Sequence, residues 1–248
     1  MLTGLSALVT GAVGGIGRAV AAHFHGLGAT VAVHSRERDD PRAAVLVAEL
    51  GDRAFAVHGD VVDAAAAIVE RCVRLAGRLD ILVNNAGVQP VGALLDLTSD
   101  DVAEVMRVNV GGVAAMTAAA ARAMVAADRR GGAICNVASI EAFGAPSMHS
   151  HYVASKAAVV AHTRAAAVEL GPSGIRVNAV APGLIERPGI GDAWPEGVSR
   201  WTAACPLGRL GRGEDIARAI AFLVGPDSAW ITGACLAVDG GVSAGSPW

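Results

Sequence analysis

The chain has 248 residues, a formal net charge of −3, 53% hydrophobic and 17% charged residues, and 4% aromatics. That length and apolar content suit one large domain or two small ones with a sizeable core, and argue against disorder. The slightly acidic balance and the scarcity of rings argue against a nucleic-acid partner, which wants a basic face and stacking groups.

In chain order, an apolar run over 5–10 reads as the first strand. No basic segment precedes it and it breaks at Gly11, so no secretory leader is expected. Thr10-Gly11-Ala12-Val13-Gly14-Gly15-Ile16-Gly17 follows and opens a helix predicted over 16–27. Glycines there let backbone amides approach a pyrophosphate, and a helix N-terminus favours its charge. A strand over 30–34 ends at His34-Ser35-Arg36. An acidic residue at this place would accept a hydrogen bond from an adenosine ribose 2′-hydroxyl and repel a 2′-phosphate. The chain offers the Ser35 hydroxyl and the Arg36 guanidinium instead, and Arg36 can pair with a phosphate dianion through two bonds. Glu37 is expected to point away from it.

A helix over 41–50, a strand over 54–58, a helix over 64–76 and a strand over 81–84 come next, then a long helix over 100–126. Thr98 or Ser99 can cap that helix, with Asp100 and Asp101 favourable in its first turn. The stretch 111–127 comes nearest to the ~20 residues of a membrane span, but it carries Arg122 and is weakly hydrophobic. No membrane association is expected. A strand over 133–138 ends at Ser139, a helix over 152–170 starts at Tyr152, and a strand over 176–181 leads to Pro182-Gly183. The segment 184–206 breaks the rhythm with Pro188, Pro195, Pro206, Trp194 and Trp201, and is a candidate substrate lid. A helix over 213–224 and a strand over 235–238 complete the chain.

The strands are short and lack polar alternation, as expected where a sheet is covered on both faces. Seven strands alternating with six helices predict an α/β fold, a Rossmann-like doubly wound parallel sheet in a single domain over 1–248. Cys72, Cys135, Cys205 and Cys235 are scattered, which fits reduced thiols in a cytoplasmic protein. His149 and His151 have no further ligands nearby in sequence, so no metal is expected.

Tyr152 is the only tyrosine, and Lys156 is the one lysine among 20 basic residues. Four residues is one helical turn, so both side chains lie on one face. A nearby ammonium favours a phenolate and is expected to lower the Tyr152 pKa from about 10. Ser139 can hold a carbonyl or alkoxide oxygen. The three suit proton transfer to an oxygen whose carbon receives hydride. Ser139 does not lie in a G-x-S-x-G elbow, which argues against a hydrolase.

The spacing T-G-x-x-x-G-x-G at 10–17, Ser139, and Tyr152-Val153-Ala154-Ser155-Lys156 resemble the short-chain dehydrogenase/reductase family over essentially the whole chain. Asn84-Asn85-Ala86-Gly87, Asn109, Pro182-Gly183 and Asp239-Gly240-Gly241 add to the resemblance. It implies Tyr152 as general acid/base, Ser139 orienting the substrate oxygen, and Lys156 binding the nicotinamide ribose. Asn109 would hold a water in a proton relay. Thr10, Gly11, Gly14, Gly15, Ile16, Gly17, Ser35, Arg36, Asp60, Val61, Asn85, Ala86, Gly87, Tyr152, Lys156, Pro182, Gly183 and Ile185 would line the cofactor. Asn84 would tie strands together. NADP(H) is the preferred cofactor, with NAD(H) possible. Arg187 stands where the family usually has Thr, and either reaches the pyrophosphate or faces solvent or Glu186.

Gln89, Glu141, His149, Trp194 and Trp201 are the candidate substrate contacts. The polar ones suit a hydroxylated substrate and the tryptophans an apolar ring or acyl chain. The expected activity interconverts a ketone and a secondary alcohol. The alternatives are a beta-ketoacyl-ACP reductase, for which Arg129-Arg130 is the only adjacent basic pair, and an NADP-sensing regulatory protein without catalysis. The Ala-rich helices over 100–126 and 152–170 carry apolar residues beyond one face, and the family packs them between subunits. A homotetramer or dimer is therefore expected.

Overall fold

Apolar strands without polar alternation can be satisfied only inside a sheet covered on both sides, and the chain builds one. The computed structural model describes residues 2–127 and 131–245; the Arg129-Arg130 pair lies outside them. The strands are β1 (Ser6–Val9), β2 (Thr30–Ser35), β3 (Ala54–His58), β4 (Ile81–Asn84), β5 (Gly132–Val137), β6 (Ile175–Pro182) and β7 (Cys235–Val238). The helices are α1 (Gly15–Gly26), α2 (Pro41–Leu50), α3 (Ala65–Ala76), α4 (Ser99–Met106), α5 (Val113–Ala126), α6 (Ser150–Leu170), α7 (Ile190–Ala193), α8 (Pro195–Ala204) and α9 (Gly213–Val224).

The sheet order is β3-β2-β1-β4-β5-β6-β7, with every pair parallel. This is the doubly wound, Rossmann-like sheet that the alternating pattern predicts. Successive residues of one strand feed opposite layers. Ala7 and Val9 join the core made with Val20, Phe24, Leu46, Ile216 and Ile220, while Leu8 between them joins Ile68, Met116, Met124 and Ala166. Ile81 and Val83 face the first layer and Leu82 the second. Strand order reverses between β1 and β4, so their outgoing loops diverge and leave a crevice at the carboxyl ends. That crevice positions the site.

The long helix departs from the expected uniform α-helix. Thr98 caps it through a capping box: its hydroxyl accepts from the Asp101 amide at 3.2 Å, and Asp101 accepts from the Thr98 amide at 2.9 Å. The stretch Arg107–Gly112 is then π-helical before α5 begins. An extra residue per turn cannot be seen in a hydrophobic pattern of period 3.6. The 28-residue span Ser99–Ala126 also has the length and apolar content of a membrane-crossing helix. Half of its most apolar window is buried within the protein, where Met116, Ala120 and Met124 belong to the second core layer.

Two further differences concern the C-terminal half. The lid candidate is folded into two short helices, α7 and α8, with Pro195 at the first position of α8 where its missing N–H costs nothing. The edge strand β7 is not covered on both faces, since Leu236 is 41% exposed. Asn84 does tie strands and helices together. Its amide donates to Thr117 Oγ1 at 3.1 Å and Asn136 Oδ1 at 2.9 Å, and Asn136 donates onward to Thr163 Oγ1 at 2.9 Å.

Candidate active site

The Gly-rich loop after β1 is shaped from beneath by two residues expected at the cofactor. Thr10 Oγ1 accepts from the backbone amides of Asn85 and Ala86 at 2.9 and 3.0 Å, and donates to the Val83 carbonyl at 3.2 Å. Asn85 Nδ2 donates to the carbonyls of Thr10 and Gly11 at 2.9 and 3.0 Å. Both side chains are therefore spent on the loop itself. Gly11 has φ +61°, a backbone conformation that other residues rarely adopt. Gly17 is glycine because a Cβ there would collide with the Gly11 carbonyl.

Gly14 and Gly15 have a different reason. A Cβ on Gly14 would meet only the Gly11 carbonyl at 3.8 Å, and one on Gly15 would meet nothing within 4 Å. Nothing in the protein forbids a side chain there, yet a Cβ would fill the space over the start of α1. That helix has no side-chain cap and no acidic residue in its first turn. Exposed amides and a positive helix end beside open glycines fit an anionic pyrophosphate. Among the predicted loop residues, Gly14, Gly15, Ile16 and Gly17 are the ones that could hold it.

At the end of β2, Ser35 Oγ donates to the Glu37 carbonyl at 2.9 Å. The Arg36 side chain is 69% exposed, with its Nε 3.8 Å from Asp60 and 3.9 Å from Glu37. Glu37 thus lies beside Arg36 instead of pointing away, because the Ser35–Glu37 turn folds the chain back. Asp60 is further engaged by the Val62 amide at 2.8 Å and by Arg107 at 3.3 Å. These bonds hold its carboxyl below the usual carboxylate range, the backbone amide foremost. Val61 is buried against Gly112, where a Cβ would come within 2.6 Å of it. Arg107 was not foreseen as part of this corner, since the fold alone brings the π-helical turn to the end of β3.

The catalytic candidates gather at the carboxyl ends of β4 and β5. Ser139 leaves β5 and its hydroxyl accepts from the Glu141 amide at 3.1 Å. Tyr152 and Lys156 lie on the first turns of α6, both buried, with the ammonium 5.5 Å from the centre of the Tyr152 ring. Lys156 Nζ donates to the Val137 carbonyl at 2.8 Å. Asn109, in the π-helical turn, accepts from the Val88 amide at 2.8 Å and donates to the Val88 carbonyl at 2.9 Å and Ser155 Oγ at 3.0 Å. Its side-chain amide is thus engaged by the loop after β4 and by α6, while Oδ1 keeps a second lone pair. A Cβ on Gly87 would sit 3.0 Å from Asn109 Oδ1 and 3.7 Å from Lys156 Nζ, so Gly87 keeps this corner open.

The expected lowering of the Tyr152 pKa is not produced by these groups. Burial pushes it up to about 12, the Glu141 charge adds to the rise, and a hydrogen bond from Ser139 opposes it. Lys156 is itself pushed down to about 8, chiefly by burial. Its ammonium donates to the Val137 carbonyl and stands 5.5 Å from the centre of the Tyr152 ring. Tyr152 is a neutral phenol at neutral pH.

On the substrate side, Glu141 Oε2 lies 2.9 Å from His149 Nδ1, and Gln89 Nε2 donates to Glu141 Oε1 at 3.5 Å. The His149 ring meets Tyr152 edge-on, with centroids 6.2 Å apart. These three residues form a polar cluster beside the phenol. Trp201 packs over Gly183, where a Cβ would come within 2.6 Å of its ring. Trp194 instead stacks on Gly197 and Arg200 within its own helices, so the structure gives it a lid-packing role. Pro182 ends β6, the Gly183 amide donates to Val238 at 3.1 Å, and Ile185 bridges to Gly211. Arg187 is exposed, and Glu186 lies near Arg212 at 3.9 Å.

Comparison with known proteins agrees with this geometry. A family model described as enoyl-(acyl carrier protein) reductase matches residues 11–243. The chain is 42% identical to an L-rhamnose 1-dehydrogenase (NAD(P)(+)) of Sphingomonas sp. (strain SKA58), over 98% of this chain and 97% of that protein. It is 37% identical to the 3-oxoacyl-acyl-carrier-protein reductase FabG of Thermotoga maritima, over 97% and 98% of the two chains. A solved short-chain type dehydrogenase/reductase from Mycobacterium marinum superposes with a TM-score of 0.88 at 37% identity, covering 98% of this chain and 97% of the other. The chain is a nicotinamide-dependent oxidoreductase of the short-chain dehydrogenase/reductase family.

Proposed function

We propose that this enzyme interconverts a hydroxylated secondary alcohol and its ketone, or the equivalent carbonyl, with NADP(H) preferred and NAD(H) accepted. The observation that carries the reading is the meeting of Ser139, Tyr152 and Lys156 at the carboxyl end of the same sheet whose first helix, α1, starts uncapped. A bound nicotinamide supplies hydride exchange at the substrate carbon. In the reducing direction Tyr152 donates its phenolic proton to the substrate oxygen, and the Ser139 hydroxyl holds that oxygen. Burial keeps Tyr152 protonated at neutral pH, which suits the acid of this step. Lys156, fixed by Val137 beside the Tyr152 ring, is the group that would bind the nicotinamide ribose.

The Gln89–Glu141–His149 cluster supports a substrate with several hydroxyls. The carboxylate and the imidazole, already paired with each other, can exchange further hydrogen bonds with neighbouring hydroxyls, which an acyl chain cannot offer. The sugar dehydrogenase among the relatives points the same way. For the cofactor, Arg36 is the group that could pair with a 2′-phosphate, in competition with Asp60 and Glu37. That competition supports a preference and not an absolute requirement. Two apolar faces support a tetramer. One is the small-residue groove between α5 and α6, lined by Ala118, Val125, His162 and Ala165. The other carries Phe222, Trp230 and Leu236 around α9 and β7, with Trp230 fully exposed.

A screen of ketoses, aldoses, polyols and acyl thioesters with both nucleotides is expected to find nucleotide-linked turnover on a hydroxylated compound. Tyr152→Phe should lower that kcat at least a thousandfold with the cofactor Kd little changed; undiminished turnover would refute the assignment. Arg36→Ala should raise KM for NADP(H) about tenfold, the loss of one charge-assisted pair, and leave KM for NAD(H) within twofold. Equal effects on the two would contradict the 2′-phosphate contact. Light scattering at micromolar concentration should give four times the mass of the chain, and a monomeric mass would refute the assembly.

A further inference from the structure

We propose that His34 is a positioning residue for the dinucleotide, its imidazole Nδ1 holding the Gly11 amide at the entry of the phosphate loop while the Nε2 contact with Gly59 at the end of β3 selects the tautomer that can do so. His34 stands near the end of β2 and is only 2% exposed. Its Nδ1 lies 3.1 Å from the Gly11 amide and its Nε2 2.9 Å from the Gly59 carbonyl. An amide can only donate and a carbonyl can only accept, so Nδ1 is the bare nitrogen and Nε2 carries the proton. One tautomer satisfies both partners, and the imidazolium satisfies only one of them. Burial lowers the His34 pKa to about 4; the charge of His58 adds to the fall, while the Gly59 carbonyl and Asp60 oppose it. The neutral tautomer therefore persists at neutral pH.

The backbone strengthens that hold. The Ala12 amide donates to the His34 carbonyl at 2.9 Å, and the Gly59 amide to the Ser35 carbonyl at 3.2 Å. One residue thus holds Gly11 and Ala12 on one side and the turn before Asp60 on the other. The Gly11 amide is consumed by Nδ1, which fixes the left-handed turn at Gly11 and leaves the α1 amides to face the pyrophosphate. A residue that positions the pyrophosphate acts equally on both nucleotides, because that group is common to them.

Three substitutions separate the two ring nitrogens. His34→Asn puts an acceptor oxygen near Nδ1, His34→Gln puts a donor near Nε2, and His34→Leu supplies neither. Calorimetric Kd values for NADP+ and NAD+ are measured on each, with circular dichroism as the folding check. The inference rests on the nicotinamide cofactor, so wild-type binding is the reference, and a wild type that binds neither nucleotide overturns both readings. With wild-type binding present, His34→Leu and His34→Gln should raise Kd for both nucleotides about tenfold, by equal factors. His34→Asn should stay within threefold of wild type. Long-range proton–nitrogen spectra of the nucleotide-free protein should show the Nε2-protonated tautomer. Equal losses in Asn and Leu, a loss confined to NADP+, or an Nδ1-protonated ring would each overturn the proposal. Should His34→Leu fail to fold, the Asn–Gln contrast decides the matter by itself.

Discussion

One hydroxyl holds the two halves of the site together. Thr10 Oγ1 takes the amides of Asn85 and Ala86 and gives its proton to Val83, at the place where strand order reverses. Asn85 answers by donating its side-chain amide to the carbonyls of Thr10 and Gly11. A doubly wound sheet sends the loops after β1 and β4 in opposite directions, and nothing in the sheet itself keeps them at a set distance. The Thr10–Asn85 clamp does so. Each buried amide left unpaired costs about 1–3 kcal/mol, so an opened clamp is strongly disfavoured.

The catalytic side inherits this geometry. The loop after β4 is passed from the clamp at Asn85 to Asn109, which holds Val88 by both its amide and its carbonyl. Asn109 also grips Ser155 on α6, between Tyr152 and Lys156. The π-helical turn lets a side chain in the middle of a long helix reach two elements at once. The nucleotide loop, the loop after β4 and the catalytic helix thereby form one hydrogen-bonded chain. Burial then sets the chemistry. It holds Tyr152 neutral and makes Lys156 a weaker base than a free amine, with Glu141 influencing both.

Much of this was readable from residues alone. Unbroken apolar runs predicted a parallel sheet largely covered on both faces, and the glycines after the first strand predicted the open loop that leads into α1. The Tyr152–Lys156 spacing predicted their shared helix face. Other features depend on long-range placement. The spacing shows that Lys156 is near Tyr152 but not that Val137, nineteen residues upstream, captures its proton donor. Arg107 reaches Asp60 across forty-seven residues. Glu37 turns back on Arg36 because of a local Ser35 bond that propensity does not encode. His34 was a visible signal, a titratable residue ending an otherwise apolar strand, yet its two partners lie on other strands' loops. The π-helical turn leaves no mark in a pattern of period 3.6.

The measurement that bears most directly on this account is nucleotide affinity in Thr10→Val, which keeps the shape of the side chain and removes its hydrogen bonds. Calorimetry on the folded variant should show Kd for NADP+ and NAD+ raised more than tenfold alike, together with a melting temperature lower by several degrees. Wild-type affinity in that variant would contradict the claim that the Thr10–Asn85 clamp sets the cofactor crevice.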